Sequence, residues 1–464
     1  MRSKLLSILF VVVVNASVVS TAHAIETTPT GSVLINGQAA YTALLNVPLR
    51  ITRKNATEMR FRNTGYAWSD WEDCTSTKNW ALTPGGAGQR KVDAQFRNAA
   101  GAESDLFFDT ITAAADLQIA AFSTPLGASV DTTIKAKYTV KNFSDFPAAT
   151  STTSLYLSSD STLSNLDVTL SSQVTNRLAP WGSDTTETDI LIPGGLSPGT
   201  YYLIVKANSA KNVVESNATI ASNTKTRAIQ IGPDLVVSAL GAPPQSAPGA
   251  TIMVTETVRN TSPTMATSAT TTGIYFSTNA VLDASDTLIG ERAVAPLAPG
   301  EVNTGTAEYT LPVTGVGKYY IFTKTDNANA VFESYENNNT KYTTIQLGPD
   351  LVVLYLAAPV SVASGSVITI KDTTKNWGTG MGADPSATGF YLSSDTTLDA
   401  GDTWFGERAV SSLGPAENST VSAYYTLPAV APGVWYIIGK ADNANVVAEL
   451  NENNNSRSRM IIIL

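Results

Sequence analysis

Polar and apolar residues alternate along much of this chain. Residues 252–258 (IMVTETV) set Ile252, Val254 and Val258 on one side of an extended backbone, and 367–373 (VITIKDT) do the same with Ile368 and Ile370. Clusters of Gly, Pro and Asn interrupt such runs roughly every ten residues. No stretch carries a convincing helical period. A period of two with frequent turns predicts short antiparallel strands, each with one buried face, packed as two sheets. The expected fold class is all-β.

The runs recur in a fixed order. PDLVVS at 233–238 returns as PDLVVL at 349–354, with DLQI at 116–119 as a weaker third start. IYFST (274–278) matches FYLSS (390–394) and LYLSS (155–159), and IGERAV (289–294) matches FGERAV (405–410). KYYI (318–321), VWYI (434–437) and TYYL (200–203) follow, and each copy closes on an apolar strand: 229–231, 345–347 and 461–463. Asp116, Asp234 and Asp350 are 118 and 116 positions apart, a spacing too long for a solenoid and right for a sandwich domain of about 100 residues. The expected division is 1–24 leader, 25–115 a separate β module, and sandwiches at 116–232, 233–348 and 349–464. Gly232-Pro233 and Gly348-Pro349 are all that joins the later copies, so a semi-rigid rod is expected.

The first 24 residues read as a secretory signal peptide: Arg2 and Lys4, an apolar run from Leu5 to Val14, and a small-x-small end at Ala22-His23-Ala24. The expected destination is extracellular, with the periplasm or cell surface as alternatives, and no transmembrane segment. Neither a sorting signal nor a tail helix is expected after the last strand. Removing the leader removes His23, the chain's one histidine, and leaves Cys74 as its one cysteine. That excludes His/Cys zinc sites and Ser-His-Asp or Cys-His nucleophile systems, leaving Ser-Lys or paired-carboxylate chemistry open. The formal charge moves from −9 to −11, which argues against nucleic acid and is compatible with a divalent cation. Charged residues make up 15% of the chain, so hydroxyl side chains rather than ion pairs keep its strand faces wet.

Two acidic constellations stand out. The first closes each later copy: Asp326, Asn329, Glu333, Glu336, Asn337, Asn338 and Asn339, repeated as Asp442, Asn445, Glu449, Glu452, Asn453, Asn454 and Asn455. Clustered oxygen ligands of this kind suit a hard cation such as calcium. Asp and Asn also make good hairpin turns through their own backbone. Both readings stay open. The 116–232 copy keeps Glu215, has Asn208 in place of the first aspartate and lacks the second glutamate, so calcium is not expected there. The second constellation is Asp395, Asp399 and Asp402, matched by Asn279, Asp283 and Asp286 and by Asp160, Asn165 and Asp167. It lacks the central Gly and closing Glu of an EF-hand and reads as a solvated turn.

With the opening PDLVV, the central YLSSD before LDxxDT, the LP and YY steps and the closing acidic turn, the three copies resemble the CARDB module, the cell-adhesion-related domain found in bacteria. The resemblance implies tandem immunoglobulin-like β-sandwiches in an extracellular protein. Residues 25–115 resemble a different bacterial surface Ig-like module, in which paired tryptophans precede a Gly-rich turn; Asn98 and Ala102 depart from its acidic and amide residues. Trp68, Trp71 and Trp80 are expected to pack between sheets, with sugar stacking as the rival, and Cys74 to be an inert buried thiol. The expected function is adhesion, binding or spacing without catalysis, toward a surface protein, matrix polymer or glycan. The rivals are an accessory part of a secreted hydrolase system and a self-assembling surface protein.

Overall fold

The computed structural model describes residues 27–217 and 220–464, so the expected leader lies outside the described residues. In the second repeat the alternating runs form eight strands. They are Leu235–Gly241 (β1), Gln245–Ser246 (β2), Thr251–Asn260 (β3), Thr270–Ser277 (β4), Thr287–Val294 (β5), Val302–Thr310 (β6), Gly317–Lys324 (β7) and Thr340–Leu347 (β8). They make a three-stranded sheet, β1-β3-β6, and a five-stranded sheet, β2-β8-β7-β4-β5. Every pairing is antiparallel except that of β2 with β8. The even-numbered residues Ile252 and Val254 of β3 meet Ile274 and Phe276 of β4, Ile321 of β7, and Ile345 and Leu347 of β8 in one buried cluster. The apolar alternation is thus spent on the inner faces.

The first and third repeats carry the same eight strands in the same order, and so does the N-terminal module. There the strands run from Thr30–Ile35 to Phe107–Ala113, and Tyr41–Thr42 again lies parallel to the last one. Its sequence resembles another module type, yet its chain is wound as in the repeats. Its fifth strand, Glu72–Asp73, is shorter than the eight-residue β5 of the repeats, and its sixth, Thr77–Ala81, is shorter than their nine-residue β6.

The cores hold charge as well. In the third repeat Arg408 of β5 makes two 2.7 Å bonds to Asp372 of β3, and both side chains are buried. Arg292 and Glu256 form the corresponding pair in the second repeat. The first repeat has Gln173 and Tyr138 at these register positions.

A common device sits where modules meet. In the three repeats β3 ends on a fully buried asparagine: Asn142, Asn260 or Asn376. Its Nδ2 donates to the carbonyl of Phe146, Met265 or Met381, at 2.7, 2.7 and 2.8 Å. This fixes the β3–β4 loop, which meets the module before it. Phe146 lies under Arg90 of the N-terminal module, and Met265 joins the hydrophobic core of the first repeat. Thr379 donates through N and Oγ1 to Gln245 Oε1 of the second repeat, both at 2.6 Å.

Candidate metal centre

The first acidic constellation occupies the loop between β7 and β8. It opens with a turn in which Asp326 (φ 46°) and Asn329 (φ 48°) adopt the left-handed conformation that these residue types tolerate. The buried Asp326 carboxylate accepts from the backbone N–H of Ala330 and Val331, each at 3.0 Å, and from Thr270 Oγ1. Glu333, also buried, accepts from Leu235 N at the start of β1 and from Asn339 Nδ2 at 2.7 Å. Glu336 Oε1 accepts from Glu333 N at 2.9 Å. The turn reading therefore describes much of what these oxygens do.

It does not describe their proximity. Asp326, Glu333 and Glu336 each set a carboxylate oxygen within 4.8 Å of the others. Burial, with Glu336 and Asp326 adding like charge, pushes the Glu333 carboxyl up to about 8 against the lowering effect of the Leu235 and Asn339 donors. Among the described residues no lysine or arginine forms an ion pair with any of the three. Asn339 is 2% exposed and its Oδ1 has no hydrogen-bond partner. Asn338 donates to Asp234 Oδ1 at 2.9 Å, and its own Oδ1 is likewise unpartnered.

The third repeat keeps the pattern. Asp442 accepts from Val446 N and Val447 N, Glu449 from Leu351 N and Asn455 Nδ2, and Glu452 from Glu449 N. Asn454 donates to Asp350 Oδ1 at 3.0 Å. Burial and the neighbouring Glu452 and Asp442 carry Glu449 to about 7. Among the described residues, only the second-repeat trio closes to within 4.8 Å.

The first repeat solves the same problem with amides. Asn208, in the place of Asp326, donates to Glu215, and Asn223 donates to both Glu215 oxygens at 2.9 and 3.0 Å. Leu117 N supplies the bond that Leu235 N gives to Glu333. An amide hydrogen stands there where the later repeats set a carboxylate.

The second constellation closes its own exposed turns. Thr397 N donates to Asp395, Gly401 N to Asp399 and Asp399 N to Asp402, and the same bonds recur around Asn279, Asp283 and Asp286. In the N-terminal module Trp80 packs against the core, whereas Trp68 and Trp71 stack between guanidinium groups. Arg60 lies 4.9 Å from Trp68 and 4.3 Å from Trp71, with Arg62 and Arg97 on the outer sides. Asn98 Oδ1 accepts from Ala100 N and Ala102 N within its turn. Cys74 is half-buried, and burial pushes its thiol up.

Sequence reasoning passed over the β3 asparagines and the buried ion pairs. Both carried a signal: Asn142, Asn260 and Asn376 recur at the 118- and 116-residue period, and Arg292 and Arg408 sit inside the repeated GERAV.

The family described as CARDB matches residues 114–226, 232–343 and 348–459. The chain belongs to the CARDB family. CARDB domains are a non-catalytic class, and their three copies account for most of this chain. No curated protein matches it. One similar solved structure is the CARDB domain of a Pyrococcus furiosus protein in complex with di-metal ions. It is 27% identical, covers 25% of this chain and 90% of that one, and has a TM-score of 0.21. Another is a domain of a candidate cell surface protein of Methanosarcina acetivorans, 24% identical over 25% of this chain and 94% of that one, with a TM-score of 0.21. No helix among the described residues is long and apolar enough to cross a membrane.

Proposed function

We propose that this CARDB chain is an extracellular, non-catalytic binding and spacer protein, whose tandem sandwiches present their surface to a surface protein, matrix polymer or glycan. The observation that carries this reading is the thrice-repeated asparagine device. A chain that commits buried Asn142, Asn260 and Asn376 to holding loops against the preceding module is organised to keep modules in register. The test is a binding screen of the chain from residue 25 onward against glycans and matrix proteins. A saturable partner is the expected result. Turnover of a polymer, or no partner at all, would count against it.

The acidic loops add calcium to this function. In the second repeat Asp326, Glu333 and Glu336 supply carboxylates, and Asn338 of the same loop carries an unpartnered side-chain oxygen. Asp442, Glu449, Glu452 and Asn454 are the weaker counterpart in the third. The support is chemical: three oxygen donors close together, two of them buried, with no lysine or arginine ion-paired to them among the described residues, are what a hard divalent ion satisfies. Calorimetric titration of the whole chain with calcium should give two sites of unequal affinity. Glu333→Gln should remove the tighter one and Glu449→Gln the weaker. No heat in the unaltered chain would remove calcium from the reading.

A further inference from the structure

The loop that carries the second-repeat carboxylates has a second face, and that face touches the first repeat. Between Asp326 and Asn339 the chain passes through Phe332, Ser334 and Tyr335, which meet the linker and the first repeat. Tyr335 donates its hydroxyl to the Gly127 carbonyl at 3.0 Å. The Ser334 carbonyl packs so closely on Gly127 that an added Cβ would overlap it, so only glycine fits there. Ser334 N also donates to Pro233 O, 2.8 Å away in the linker itself. A cavity of about 450 Å³ lies along this contact, with Leu126 and Gln230 on the first-repeat side and Phe332, Tyr335 and Glu336 on the other.

Glu333 and Glu336 therefore sit back to back with the joint. Glu333 bonds Leu235 N, two residues after the linker, and Glu336 belongs both to the carboxylate trio and to the cavity wall. Asn339, buried, donates its amide nitrogen to Glu333, and its Oδ1 has no hydrogen-bond partner. With no cation between them nothing ties the three carboxyl groups together, and the exposed member, Glu336, is the one free to move outward. Its immediate neighbour is Tyr335.

We propose that a calcium-class divalent cation held by Asp326, Glu333 and Glu336 locks the joint between the first and second repeats, by fixing the 332–336 loop against Gly127. This rests on the calcium reading of the pocket and adds what the ion controls. The third repeat is a built-in contrast. The position of Tyr335 is taken there by Asn451, an exposed residue whose Oδ1 accepts from Asn453 N in its own loop. Calcium at the weaker site leaves the joint between the second and third repeats unchanged.

The experiment pairs calorimetry with hydrogen exchange on the whole chain, with calcium or with EDTA. Residues 124–130 belong to the first repeat and contain no proposed ligand, so their exchange reports the joint rather than the site. Calcium should slow exchange there by about fivefold or more and leave residues 244–247 unchanged. Tyr335→Phe and Tyr335→Ala should keep calcium binding yet lose the protection at 124–130. Glu333→Gln should lose both. If calcium binds and 124–130 does not respond, the lock is refuted while the calcium site stands. If calcium does not bind, both are refuted.

Discussion

Glu333 holds its proton more tightly in the native pocket than in an unfolded chain, so its titration is linked to folding. Below about 4.5 both states are protonated; from there to about 8 the unfolded chain releases a proton that the native one keeps. Calcium-free stability therefore falls as pH rises through this window and levels off above it. Glu449 contributes in the same direction up to about 7. Asp326 and Glu336 face the first of these groups, and Asp442 and Glu452 the second. In EDTA the melting temperature should drop between about pH 5 and about pH 8, and Glu333→Gln should flatten part of the drop. Calcium should restore stability at the upper end and do little at the lower, since it competes with the proton. A pH-independent melting temperature in EDTA would contradict this account. The residue types and their repetition were legible in the sequence because turn chemistry is local. That Glu333 caps Leu235, 98 positions away, was not, since only the fold brings the two together.

At the scale of strands, period-two alternation foretold sheets and their buried faces, and it held wherever the inward residue was apolar. It says nothing about an inward charge. Asp372 and Arg408 occupy core-facing positions of β3 and β5, where a pattern reading would place solvent. Removing one partner strands the other away from water. Arg408→Met should destabilise the third repeat by about 3–5 kcal/mol. The double change Asp372→Tyr with Arg408→Gln, which copies the first-repeat residues Tyr138 and Gln173, should recover most of that loss. Denaturant unfolding of the whole chain, followed through the third-repeat tryptophans Trp377, Trp404 and Trp435, would measure both. Equal losses in the single and double variants would show that the pair is not acting as a unit. The same limit explains the N-terminal module. Its strand order equals that of the repeats, but its motifs differ, and order is not written in motifs.

For the molecule as a whole, the short Gly-Pro linkers foretold little slack, while the loops that meet across them come from residues no linker rule considers. Gly380 illustrates the point: an added Cβ would overlap the Ser246 backbone of the preceding repeat. Gly380→Val should therefore open the joint between the second and third repeats and leave both cores alone. Protease cleavage near Gly348 should accelerate, with the melting transitions unmoved. A shifted third-repeat transition would instead place the damage inside the sandwich.

The parallel strand pair in each module, two residues of β2 along β8, has a mechanical consequence. The chain enters each sandwich ahead of β2 and leaves it through β8, so tension along the chain pulls these parallel strands in opposite directions. Their hydrogen bonds are then loaded together in shear instead of being unzipped one at a time. Gly127–Ala128 on Gln230–Ile231, Gln245–Ser246 on Gln346–Leu347 and Ser361–Val362 on Ile462–Ile463 repeat the clamp. Stretched from its ends in a force spectrometer, the chain should resist in separate peaks, one per module. Proline at Gln346, whose amide donates to the Pro244 carbonyl just before β2, should lower one of them.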